Sequence, residues 1–210
     1  MDISIKLTMP SQVPHWLIAL AERTHRDVLR PEANYLNGLM ALLLTVTAAE
    51  AAINCMLEPL MSKEEWLGTG KKRNGFDFAP TAAKWERLSR ELGLAQPLAE
   101  DVEPLAPFLK TITARHALVH YKHSRNINEH VLGPAKFSFG TSTMIPIGAF
   151  IEAGQGTQLG EAEAAMAPEA ARAYYPSFEK LLRAVLPAYA AKDDSLVLLF
   201  KGALDGQVQI

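Results

Sequence analysis

The sequence predicts a mainly α-helical domain, and three observations carry that expectation. Apolar residues recur at helical spacing in several separate segments. One segment is apolar on almost every side, as the central helix of a bundle is. Prolines, glycines and an asparagine fall where those segments begin and end. Hydrophobic residues make up 49% of the 210 and charged residues 21%, so a sizeable core is within reach of one domain spanning 1–210.

The first helix is expected over His15 to Arg30, where Trp16, Leu17, Leu20, Ala21, Val28 and Leu29 form a stripe and Pro31 stops it. The second runs from Asn34 to Met61. Asn34 is placed to cap it, and its residues are apolar nearly all round from Leu36 to Leu60, with Pro59 in the last turn. Ser62 to Pro80 reads as a linker or mobile loop, with Gly68, Gly70 and Gly75 around the basic cluster Lys71-Lys72-Arg73. Thr81 to Leu92 reads as a short helix with Trp85, Leu88 and Leu92 on one side and Gly93 as its stop. The next helix begins between Asp101 and Pro107 and continues to about His123, with Leu105, Leu109, Ile112, His116, Val119 and His123 on one face.

Asn126 to Glu152 changes character: its apolar residues alternate loosely with polar ones and glycines, which predicts a β-hairpin or irregular insertion. Glu161 to Tyr189 is helical again, with Pro168 and Pro176 as breaks and Phe178, Leu181, Leu182, Val185 and Leu186 facing the core. Ser195 to Phe200 reads as a final strand. The bundle core is therefore assigned to 34–123 and 161–189, and 124–160 to the inserted hairpin or loop.

Charge and cysteine content narrow the function classes. A net charge of −2 gives no global field for nucleic acid, so any RNA or DNA contact rests on local basic groups. The single cysteine, Cys55, cannot form a disulfide within the chain and fits a reducing compartment. No signal-peptide pattern occupies residues 1–10, and the apolar run Gly38 to Ala49 is too short to span a bilayer before it meets Glu50. The expectation is a cytoplasmic protein with no membrane association.

Two constellations carry chemistry. Glu50 and Asn54 stand at i and i+4 inside the apolar second helix. An ionised carboxylate there is costly unless paired, and Arg115 is the partner the chain offers. The second constellation is Arg115-His116-Ala117-Leu118-Val119-His120. It combines a permanent cation with imidazoles that titrate near neutral pH. His116, His120 and His123 share one helical face. Arg115 and His120 are about 140° apart around an ideal helix, so a second subunit is one way of bringing the two groups together. The Glu50–Arg115 arrangement is read either as a structural ion pair between helices or as a carboxylate orienting a catalytic group.

The segment Ala114 to His123 resembles the signature of the HEPN (higher eukaryotes and prokaryotes nucleotide-binding) superfamily: an arginine, a polar residue, three further residues and a histidine, here Arg115, His116, Ala117-Leu118-Val119 and His120. Thr47 to Asn54 is similar to the glutamate-bearing helix that packs beside the motif helix in that superfamily, and Trp85-Glu86-Arg87-Leu88 lies between them as a comparable helix does. Arg125-Asn126-Ile127-Asn128-Glu129-His130 matches the bare pattern too, but follows the expected helix end and lacks an apolar face. The resemblance implies a HEPN-like bundle of four to five helices, usually a homodimer, and in many members a metal-independent endoribonuclease that needs no cofactor. Carried over, His120 is the acid/base for attack of a ribose 2′-hydroxyl on phosphate, and Arg115 stabilises the phosphoryl oxygens. His116 adds a hydrogen bond, Glu50 orients Arg115, and Asn54, Lys122 and His123 lie near the substrate. Partners implied are RNA or a nucleotide and, in a toxin–antitoxin or defence setting, a small antitoxin-like protein.

Two other readings stay open. One is a catalytically inactive nucleotide-binding or dimerisation module. The other is a metal site on His116, His120 and His123 with Glu50 or Glu129 as a fourth ligand. Gly154-Gln155-Gly156 lacks the strand-turn-helix setting of a phosphate loop, and Cys55 reads as packed core.

Overall fold

The computed structural model describes residues 13–69, 75–119 and 163–208. Among these the chain is helical, with no strand: α1 (Val13–Val28), α2 (Tyr35–Leu57), α3 (Lys63–Leu67), α4 (Thr81–Glu91), α5 (Leu105–Val119), α6 (Pro168–Ala171), α7 (Tyr174–Tyr189) and α8 (Asp194–Leu204). The mainly α class is thus the observed class. The expected hairpin at 124–160 lies outside the described residues.

α1 and α2 form a helical hairpin and pack along each other more extensively than any other pair. Asn34 caps α2 as its sequence position suggests. Its side chain accepts from the Leu36 and Asn37 amides, and the Asn37 side chain accepts in return from the Asn34 amide at 2.9 Å. α2 lies at the centre of the packing, touching α1, α4, α5, α6 and α7. It runs through Glu50 without a break, so the apolar stretch continues beyond Ala49. Tyr35–Leu60 is long and apolar enough to cross a membrane by length and composition, with half of its most apolar window buried against the rest of the chain.

Three expected elements differ in the structure. The strand expected at Ser195–Phe200 is part of helix α8. A short apolar run fits either structure. Here Asp193 caps a helix by accepting from the Leu196 amide at 3.0 Å, and Leu196, Val197, Phe200, Ala203 and Leu204 form one buried face. Ser62–Pro80 is not simply a loop. Ser62 and Glu65 form a capping box that starts α3, whose Trp66 is buried, and Gly75 passes so near Trp66 that a Cβ would lie 2.1 Å from its carbonyl oxygen. Pro176 does not break its helix. It sits in the first turn of α7, where a missing N–H removes no helical bond.

The main core joins Ile18 of α1 to Ile53 and Met56 of α2, Trp85 and Leu88 of α4, Leu105 and Phe108 of α5, Phe178 and Leu182 of α7 and Phe200 of α8. The first helix and the last are therefore part of the core, which extends beyond 34–123 and 161–189. A second cluster gathers Val28, Ala41, Leu42 and Val46 with Ala165, Ala171 and Tyr174, and Ile112, Ala114 and Leu118 pack on it. There the backbones come close: a Cβ on Gly38 would lie 1.9 Å from the Met166 carbonyl oxygen. Tyr174 donates to the Ala165 carbonyl at 2.7 Å, and burial pushes its phenol pKa up to about 12.

Candidate functional site

α5 and α2 pack against each other, as the motif reading requires, but their register separates the expected partners. The start of α5 (Leu105, Phe108) belongs to the main core with Ile53 and Met56 of α2, whereas its end (Ala114, Leu118) packs with Ala41, Leu42 and Val46. The helices are antiparallel. Glu50 lies four residues beyond Val46, about 6 Å further along the axis. Among the described residues no ion pair joins Glu50 to Arg115.

The buried face of α5 also differs from the one expected. Leu105, Phe108 and Thr111 are buried, and Thr111 Oγ1 lies 3.2 Å from Ser177 Oγ of α7. Arg115 follows Phe108 and Thr111 at i+7 and i+4, so the arginine continues the core-facing stripe and is half-buried, while His116 is exposed. The Arg115 guanidinium makes no ion pair among the described residues. His120, Lys122 and His123 lie outside the described residues, as does Arg125–His130. Among the described residues no three His, Cys, Asp or Glu side chains gather as a metal site needs.

Glu50 and Asn54 do meet, as their spacing predicts, but in a cleft built with α4. The cleft holds about 240 Å³ and is lined by Glu50, Ile53, Asn54, Asp77, Ala79, Thr81 and Lys84. Its organising group is Lys84, a lysine only 7% exposed and absent from the residues expected to carry chemistry. Lys84 is the fourth residue of α4. Side chains on a helix lean toward its N-terminus, and this one reaches back to the Asp77 carbonyl (2.6 Å) and across to Asn54 Oδ1 (2.8 Å). The Trp66 ring lies 5.4 Å from its nitrogen, within cation–π range.

Burial lowers the Lys84 pKa, and the nearby Glu50 and Asp77 carboxylates partly oppose that shift. Among the described residues Glu50 nevertheless forms no ion pair within 4 Å, and Asp77 Oδ1 is shielded from solvent with no hydrogen-bond partner. A sequence signal for Lys84 existed: it stands one residue before Trp85 and four before Leu88, both of them buried, inside a short helix. Lysine at such a position is normally solvated, so composition alone does not flag it. Cys55, on the same helix as Asn54, is half-buried, and burial raises its thiol pKa, with Asp193 and Glu58 adding to the shift, as suits a packing residue rather than a nucleophile.

No protein-family model matches the chain, and no curated protein or solved structure is significantly similar to it.

Proposed function

We propose that the chain is a HEPN-type, metal-independent endoribonuclease that works as a homodimer in the cytoplasm. The observation that carries the reading is Arg115: a half-buried guanidinium, with no ion pair among the described residues, at the end of a helix that packs beside the apolar Glu50 helix. An arginine that no carboxylate among the described residues neutralises keeps its donors for a phosphate. In the proposed reaction His120 takes the proton from a ribose 2′-hydroxyl. The oxygen attacks the adjacent phosphorus, the bond to the 5′-oxygen breaks, and that oxygen takes up a proton from solvent, leaving a 2′,3′-cyclic phosphate and a 5′-hydroxyl. Arg115 stabilises the charge that develops on the phosphoryl oxygens, and His116 donates a further hydrogen bond. Lys122 and His123 hold the RNA backbone. Glu50 is given no step here; it lines a cleft with Lys84.

That same placement favours a second reading, a non-catalytic nucleotide-binding or dimerisation module, in which no carboxylate among the described residues orients Arg115. RNA cleavage in EDTA separates the two. The wild-type chain is expected to cleave single-stranded RNA, and folded Arg115→Ala and His120→Ala chains are not. Intact RNA with the wild type, or equal cleavage by both variants, sinks the nuclease reading. A strict monomer in sedimentation at micromolar concentration would remove the homodimer.

A further inference from the structure

We infer that the Lys84 cleft is a binding site for a cationic hydrogen-bond donor, a guanidinium or alkylammonium group, separate from the RNA-cleaving machinery. Five of its seven lining residues are polar or charged, so it suits a polar ligand. Among the described residues two carboxylates, Glu50 and Asp77, face one ammonium, Lys84, which leaves one negative charge unbalanced there. The acceptors are unpaired as well. Among the described residues Asp77 Oδ1 is buried without a partner, and Glu50 has no ion pair within 4 Å. A buried carboxylate oxygen without a donor is costly, and a ligand N–H removes that cost.

Lys84 does not fill this role itself. Two of its three donors go to Asn54 Oδ1 and the Asp77 carbonyl, which fix it to one wall. It pins the 75–80 segment to α2 and so holds Asp77 opposite Glu50. The cleft volume of about 240 Å³ accommodates a guanidinium or an ammonium with a short alkyl chain. An anion is disfavoured by the two carboxylates, so RNA phosphate is not the occupant.

The source of the cation is either a free small amine or a basic side chain of a partner protein, and the experiment has an arm for each. Methylguanidinium, agmatine and a blocked Gly-Arg-Gly peptide are titrated into the full chain by calorimetry, with neutral N-methylurea as the uncharged control. The indole N–H resonance of Trp66 serves as the local probe, and that of Trp16, exposed on α1, as the remote one. Saturable one-to-one binding by a cationic probe is expected, with a shift at Trp66 and none at Trp16. Folded Glu50→Gln and Asp77→Asn chains are expected to bind at least about 10-fold more weakly. Tighter binding of the peptide than of the small cations assigns the source to a partner's side chain, and the reverse to a free amine. Binding of N-methylurea equal to that of methylguanidinium, wild-type affinity in both variants, or no saturation by any cationic probe overturns the inference. The readout is binding, so its failure is distinguishable from failure of the nuclease reading.

Discussion

The two ends of the α2–α5 packing differ in how their charges are handled. At the α4 side of α2, Lys84 is buried and held by two hydrogen bonds, with carboxylates around it. At the far end of α5, Arg115 is half-buried with no ion pair among the described residues. The glutamate that the motif reading gives to the arginine lies instead with the lysine. Helix register therefore decides which cation a carboxylate serves, and a motif that names the groups does not name their partners.

The largest effect that breaks the comparison is on RNA cleavage. Arg115→Ala and His120→Ala are each expected to lower the cleavage rate by about 1,000-fold, whereas Glu50→Gln lowers it by less than about threefold. A loss with Glu50→Gln as large as with Arg115→Ala would restore Glu50 to the arginine. Next come two stability effects, one for each end. Lys84→Met removes the donor from Asn54 Oδ1 and the Asp77 carbonyl and is expected to cost about 1–3 kcal/mol in urea unfolding. Gly38→Ala forces α2 away from the Met166 carbonyl and is expected to cost about 1–3 kcal/mol. Wild-type midpoints for either chain would show that the corresponding contact is not tight.

A smaller effect sharpens the electrostatics of the cleft. Glu50 opposes the downward shift that burial imposes on Lys84, so Glu50→Gln is expected to lower the Lys84 pKa further, read from its side-chain resonances during an alkaline titration. An unchanged titration would mean that the carboxylate does not face the ammonium.

The smallest effect lies away from both ends. His25 stacks on Tyr175 at 5.5 Å, and burial lowers its pKa against the opposing pull of Glu22 and Glu179. The folded state then takes up its proton less readily than the unfolded chain. Stability is complete above the ordinary histidine pKa of 6.5 and is lost as pH falls below it. His25→Phe is expected to flatten the stability profile below pH 6.5, and an unchanged slope would assign the acid limb to other groups such as His15, whose pKa burial also lowers.

Much of the helical framework was legible because its signals are local. The Asn34 cap, the Gly93 stop at φ 64° and the apolar stripes of α1, α4 and α7 each depend on a few neighbouring residues. The final helix was misread because Ser195–Phe200 carries an apolar run too short to show its period, although Asp193 was available as the cap. The capping box of Ser62 and Glu65 was likewise present in a segment whose glycines pointed to a loop.

Local spacing is enough to make this chain helical, to put α2 at the centre and to set Glu50 and Asn54 on one face, because positions on one helix set which side chains are neighbours. Packing between helices brings Lys84 and Asp77 to that face. The antiparallel register of α2 and α5, and the short return through residues 75–80 into α4, arise from packing between residues far apart in the chain, which no local pattern encodes.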